Sequence, residues 1–141
     1  MKKNQLHILL IEDDIDDQLF FKTALNELNI SANLTTIKDG EELMNYLYRS
    51  SDTLPDIIFL DLNMPRKNGF EVLVEISGIE ILKNIPLAVL STSFPQDKNY
   101  EKGMMELLFS LGADVFIRKP NHPDELKQVI LNALNMVKEN T

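Results

Sequence analysis

Acids, hydroxyls and one lysine stand where apolar runs stop. "HILLI" (His7–Ile11) is followed by Glu12 and Asp13, and "DIIFL" (Asp56–Leu60) by Asp61. "LAVLS" ends in Ser91 with Thr92 next, and "ADVFIR" gives way to Lys119 and Pro120. Carboxylates brought together repel one another unless a cation joins them. The chain has no cysteine, and neither His7 nor His122 has a partner suggesting a metal site or a phosphohistidine. Oxygen donors without nitrogen or sulfur favour Mg2+ or Ca2+. Mg2+ takes one or two carboxylates, keeps several waters and shares the rest of its shell with phosphate. A nearby lysine and hydroxyl would complete a phosphoryl site. A carboxylate can also be the nucleophile and form an aspartyl-phosphate.

These groups act together only if the fold brings the run ends to one edge. The apolar runs are short and alternate with amphipathic stretches. Between Ile15 and Asn29 the residues Ile15, Leu19, Leu25 and Leu28 recur at helical spacing, widened by Phe20, Phe21 and Ala24. "NLTTI" (Asn33–Ile37) reads as a less covered strand and "EELMNYLYR" (Glu41–Arg49) as a helix. A third helix is expected from Gly69 to about Leu82. A fourth runs from Glu101 to Leu111, with Met104, Met105, Leu107, Leu108 and Leu111 as its apolar stripe. The last opens at Pro123. Asp39-Gly40 could instead mark a hairpin turn, but the residues after it repeat as a helix. Five β-α units in succession predict a doubly wound α/β fold, a parallel sheet with helices on both faces. In such a sheet ligands bind outside the carboxyl ends of the strands, where all the groups above would lie.

Composition bounds the rest. The 141 residues suit one domain, with 44% hydrophobic and 26% charged residues, an ordinary globular balance. A net charge of −8 makes the chain a poor ligand for nucleic acid, whose phosphates need clustered Lys and Arg. No apolar run approaches a membrane span of about 18 residues. The start, "MKK" then "LHILLI", imitates a signal peptide only until Glu12, Asp13 and Asp14 interrupt it. The expectation is a single cytoplasmic domain, residues 1–141, without an output domain.

Four motifs together carry a resemblance: "LLIEDD" (Leu9–Asp14), "IIFLDLNMPRKNG" (Ile57–Gly69), "PLAVLSTS" (Pro86–Ser93) and "FIRKP" (Phe116–Pro120). Over nearly its whole length the chain resembles a response-regulator receiver domain of two-component signalling. The resemblance implies a flavodoxin-like, five-stranded sheet in the order 2-1-3-4-5, an order that the alternation of helices and strands alone does not give. It also implies roles. Asp61 matches the phosphoacceptor, Asp13 the acid that binds Mg2+ directly, and Glu12 its neighbour acting through water. The backbone carbonyl of Asn63 matches the remaining metal ligand. Ser91 matches the switch hydroxyl, Thr92 the position whose N–H meets a phosphoryl oxygen, Lys119 the active-site lysine and Phe116 the aromatic switch. Pro65 and Gly69 would set the turn that holds Asn63. The Lys119–Pro120 bond is expected to be cis, as at the matching Lys-Pro of the family.

The implied function is that of a single-domain response regulator. It would take a phosphoryl group from a sensor histidine kinase or phosphotransfer protein, then switch a partner protein or pass the group on in a phosphorelay. An aspartyl-phosphate phosphohydrolase would carry a second acid two residues after the nucleophile, where this chain has Asn63. A pseudo-receiver that binds without phosphorylation would not need Glu12, Asp13, Asp61, Ser91 and Lys119 together. An enzyme is therefore not expected. Asp14, Asp16 and Asp17 are assigned to the start of the first helix, Asp14 as its N-cap and the others as favourable charges at its positive end. Two features depart from the common receiver pattern: Ser stands at 91 and Phe at 116, where Thr and Tyr are frequent. The longer segment "FPQDKNYEKG" (Phe94–Gly103), with "RKPN" (Arg118–Asn121), resembles stand-alone regulators related to those of cyanobacterial phytochromes.

Overall fold

A computed structural model describes residues 5–49, 54–62, 69–91 and 98–139. In chain order the elements are β1 (Leu6–Ile11), α1 (Ile15–Asn26), β2 (Ala32–Ile37), α2 (Gly40–Arg49) and β3 (Ile57–Asp61). Then come α3 (Gly69–Ser77), a 3-10 turn (Glu80–Leu82), β4 (Leu87–Ser91), α4 (Lys98–Ser110), β5 (Val115–Arg118) and α5 (Pro123–Glu139). All strand pairs are parallel and the order is β2-β1-β3-β4-β5. This is the doubly wound sheet that the alternation predicts, in the order that the resemblance implies.

The central strands are apolar throughout because both faces are covered. Side chains alternate between the faces. Ile8, Leu10, Ile57, Phe59, Ala88 and Leu90 pack under α1 and α5, where the Phe21 and Phe59 rings meet edge to face at 5.0 Å. Leu9, Ile11, Ile58, Leu60, Leu87 and Val89 pack under α2, α3 and α4. The same alternation sends Asp61 toward the α1/α5 side with Phe59, and Ser91 toward the α3/α4 side with Val89.

The fourth helix begins at Lys98 rather than Glu101, within the segment expected to connect to it, and three further local expectations change. The third helix stops at Ser77, where the Gly78 and Ile79 N–H groups donate to the Glu75 and Ile76 carbonyls and the chain re-forms only as the 3-10 turn. In α1, Ile15 and Leu19 are 76% and 60% exposed, and Phe21, Ala24 and Leu25 are the buried residues. Ile15 and Leu19 lie on the opposite side of the helical wheel from Phe21 and Ala24, so one stripe cannot contain them all. In α4, Leu107 is likewise exposed while Leu108 is buried. The hairpin alternative at Asp39 fails: Asp39 Oδ1 accepts the Glu42 N–H at 2.8 Å and starts α2. Gly112 follows α4 at φ +109°, a conformation that favours glycine, and lets Ala113 N–H reach the Leu108 carbonyl.

Candidate functional site

Parallel registration brings the strand ends level. Glu12 N–H bonds the Ile37 carbonyl (2.8 Å), Leu62 N–H the Leu90 carbonyl (2.9 Å) and Lys119 N–H the Ser91 carbonyl (2.7 Å). Glu12, Asp61 and Ser91 are the buried polar residues of the described chain. Burying three polar side chains at one sheet edge costs free energy that only partners can offset.

Lys119 is the main partner. Its ammonium lies 2.8 Å from Glu12 Oε1, 3.1 Å from Asp17 Oδ2 and 3.6 Å from Asp61 Oδ2. No cis peptide bond occurs among the described residues, so the expectation for Lys119–Pro120 is corrected. The lysine still reaches the acids, because its backbone N–H is fixed to Ser91 and its four-carbon stem spans the remaining distance.

Glu12 is held from several sides. Its Oε2 accepts the Asp14 N–H at 3.3 Å, and its carbonyl accepts from Gln18 Nε2 at 2.6 Å. Burial, together with the Asp61 carboxylate that it hydrogen-bonds, pushes the Glu12 carboxyl up to about 8 against the pull of Lys119. Lys119 itself is raised: burial disfavours its charge, but Glu12, Asp61 and Asp17 together outweigh that.

Glu12, Asp17 and Asp61 each place a carboxylate oxygen within 4.8 Å of the others, the arrangement of a cation site. The Lys119 ammonium already sits among those three oxygens. Asp13, the acid expected to bind Mg2+ directly, is not one of these three, but its Oδ1 is buried and meets no hydrogen-bond partner among the described residues. A buried carboxylate oxygen left in that state fits a hard cation with oxygen ligands. Asn63 and Thr92 lie outside the described residues.

Other assignments hold locally. Asp14 Oδ1 accepts the Asp16 N–H at 3.0 Å and caps α1. His122 Nδ1 accepts the Asp124 N–H at 3.3 Å, a structural role at the start of α5. Phe116 is half-buried, opposite Val89 in register, and packs on the α2/α3/α4 side of the sheet. Sequence reasoning misplaced Asp17. The missed signal is that Asp17 lies four residues before Phe21 and seven before Ala24, on the buried face of α1.

The family model for the response regulator receiver domain matches residues 8–131. The chain belongs to the response-regulator receiver family. Response regulator Rcp1 of Synechocystis sp. is 38% identical over 94 residues, which cover 64% of this chain and 64% of that relative, under two thirds of its length. The crystal structure of the phosphorylated cyanobacterial phytochrome response regulator RcpA matches with a TM-score of 0.78. It is 30% identical and covers 97% of this chain and 96% of that one. The Mn2+-bound form of Rcp1 matches with a TM-score of 0.71 at 29% identity, covering 90% of each chain. No helix among the described residues is long and apolar enough to cross a membrane.

Proposed function

We propose that this receiver accepts a phosphoryl group on Asp61 from a phosphorylated histidine of a sensor kinase or phosphotransfer protein. The observation that carries the reading is the meeting of the buried Asp61 carboxylate with the Lys119 ammonium at the sheet edge. Asp61 attacks phosphorus in line. Its oxygen–phosphorus bond forms as the phosphorus–nitrogen bond of the donor breaks, and the electron pair returns to the imidazole. Lys119 stabilises charge on the transferring group. Asp13, Asp61 and Glu12, with the Asn63 carbonyl, would hold Mg2+, which neutralises phosphoryl charge when bound. The Mn2+-bound Rcp1 structure supports a divalent cation in this family.

The Ser91 hydroxyl then follows the phosphoryl oxygens, with Thr92 N–H as a second donor. Ser91 and Phe116 belong to the α3/α4 side of the sheet, so movement at the strand ends biases that side between two arrangements. The chain signals to a partner protein or passes the group on, and does not turn over a substrate as an enzyme. The meeting with the kinase would take place in the cytoplasm. Likeness to phytochrome response regulators makes a phytochrome-type histidine kinase the first donor to test.

The test is a phosphotransfer profile. Each histidine kinase of the host is loaded with labelled phosphate and mixed briefly with the chain and Mg2+. One kinase should transfer label much faster than the others. Absence of transfer from every loaded kinase and phosphotransfer protein would overturn the reading.

A further inference from the structure

Asp17 stands in the first turn of α1, but its side chain does not merely face solvent beside the helix dipole. The face it shares with Phe21 and Ala24 turns toward the sheet, and its Oδ2 lies 3.1 Å from Lys119 Nζ. An ammonium has three hydrogens and makes good hydrogen bonds to oxygen below about 3.2 Å. Among the described residues Lys119 makes two: to Glu12 at 2.8 Å and to Asp17 at 3.1 Å. Asp61, at 3.6 Å, is beyond that length. In the unphosphorylated chain the ammonium is therefore bound more closely to α1 and the end of β1 than to the phosphoacceptor.

We propose that Asp17 is a positioning residue that seats the Lys119 ammonium on α1 and competes with the phosphoryl group on Asp61 for it. The inference rests on Asp61 being the phosphoacceptor. A phosphoryl group brings new anionic oxygens to Asp61, and the ammonium must shift toward them. Asp17 opposes that shift while unphosphorylated and loses its partner when the shift occurs. The first turn of α1 is thereby coupled to the state of Asp61 through one lysine.

A plain dipole role for Asp17 would be independent of Lys119. A role as an additional metal ligand would be seen in Mg2+ affinity. The experiment separates these from the seat by a double-mutant cycle. Phosphorylation by acetyl phosphate at saturating Mg2+ is timed for the wild type, Asp17→Asn, Lys119→Met and the double variant. Asp17→Asn should accelerate phosphorylation about three- to tenfold, and less than about twofold in the Lys119→Met background, a coupling of ordinary size for directly contacting charges. Asp17→Glu, which keeps the charge on a longer stem, should restore a near wild-type rate. An unchanged rate in Asp17→Asn, or the same acceleration with and without Lys119, overturns the proposal. So does a fall in Mg2+ affinity that persists in the Lys119→Met background.

A second measurement needs no phosphoryl transfer. Acylation of Lys119 by an N-hydroxysuccinimide ester, read by peptide mass, should be faster in Asp17→Asn by about threefold or more, again the size of a contact coupling. Faster acylation in a chain whose Asp61 takes no phosphoryl group would leave the seat standing and overturn the phosphoacceptor reading. Unchanged acylation overturns the seat itself.

Discussion

Gly69 opens α3 directly beneath the end of β3, and its lack of a side chain is what lets the two meet. A Cβ added there would lie 2.5 Å from the Asp61 carbonyl oxygen and 2.5 Å from Leu62 Cα. Both obstacles are backbone, so neither can rotate away. Relief requires α3 or the end of β3 to move by about 1 Å, an overpacking strain of about 1–3 kcal/mol or more. Alanine gains at most about 1 kcal/mol of helix propensity in return. Gly69→Ala should therefore destabilise by about 2 kcal/mol and lower Tm by roughly 4–8 °C for a chain of this size. Gly103→Ala is the control. It lies within α4 with nothing within 4 Å of an added Cβ, so the same substitution should stabilise by up to about 1 kcal/mol. Urea unfolding with matched m-values measures both. Phosphorylation of Gly69→Ala should also slow, because the displaced backbone is that of Asp61. A Gly69→Ala chain as stable as the wild type would refute the argument.

The raised Glu12 carboxyl sets a pH dependence. Between its unfolded value near 4.5 and its folded value of about 8, the folded chain binds more protons than the unfolded one. Stability in chelator should then fall as pH rises through that window, by at most about 1.4 kcal/mol per pH unit, and Mg2+ should flatten the decline. Urea midpoints from pH 4.5 to 8.5, with and without Mg2+, read this; a rising midpoint in chelator would contradict it. Lys119→Ala leaves buried carboxylates without their ammonium. It should cost about 3 kcal/mol or more in chelator at pH 8 and recover much of that in Mg2+, as calorimetry with and without the metal would show.

The fold was legible because its signals are local and agree with one another. β1, β3 and β4 are short apolar runs, each closed by a polar residue, and the stretches between them repeat at helical spacing. Glu12, Asp61, Ser91 and Lys119 could be placed together from strand-end position alone, since in a parallel sheet every strand delivers its carboxyl end to the same edge. Asp17 was not legible that way. It belongs to a helix, and its role depends on how α1 is rotated over the sheet. Counting from Ile15 and Leu19 gave the wrong rotation, because two exposed apolar residues at helical spacing look like a buried stripe. The strand order needed the resemblance, as alternation alone allows several orders. The peptide bond before Pro120 turned on backbone geometry that residue types do not encode.

The most direct test of the account is the intact mass of the chain after incubation with acetyl phosphate and Mg2+, followed by the same measurement on Asp61→Asn. The wild type should gain one phosphoryl group, chelator should prevent the gain, and Asp61→Asn should gain none while remaining folded by circular dichroism. A phosphoryl adduct on Asp61→Asn at the wild-type level would contradict the assignment of Asp61 as the acceptor.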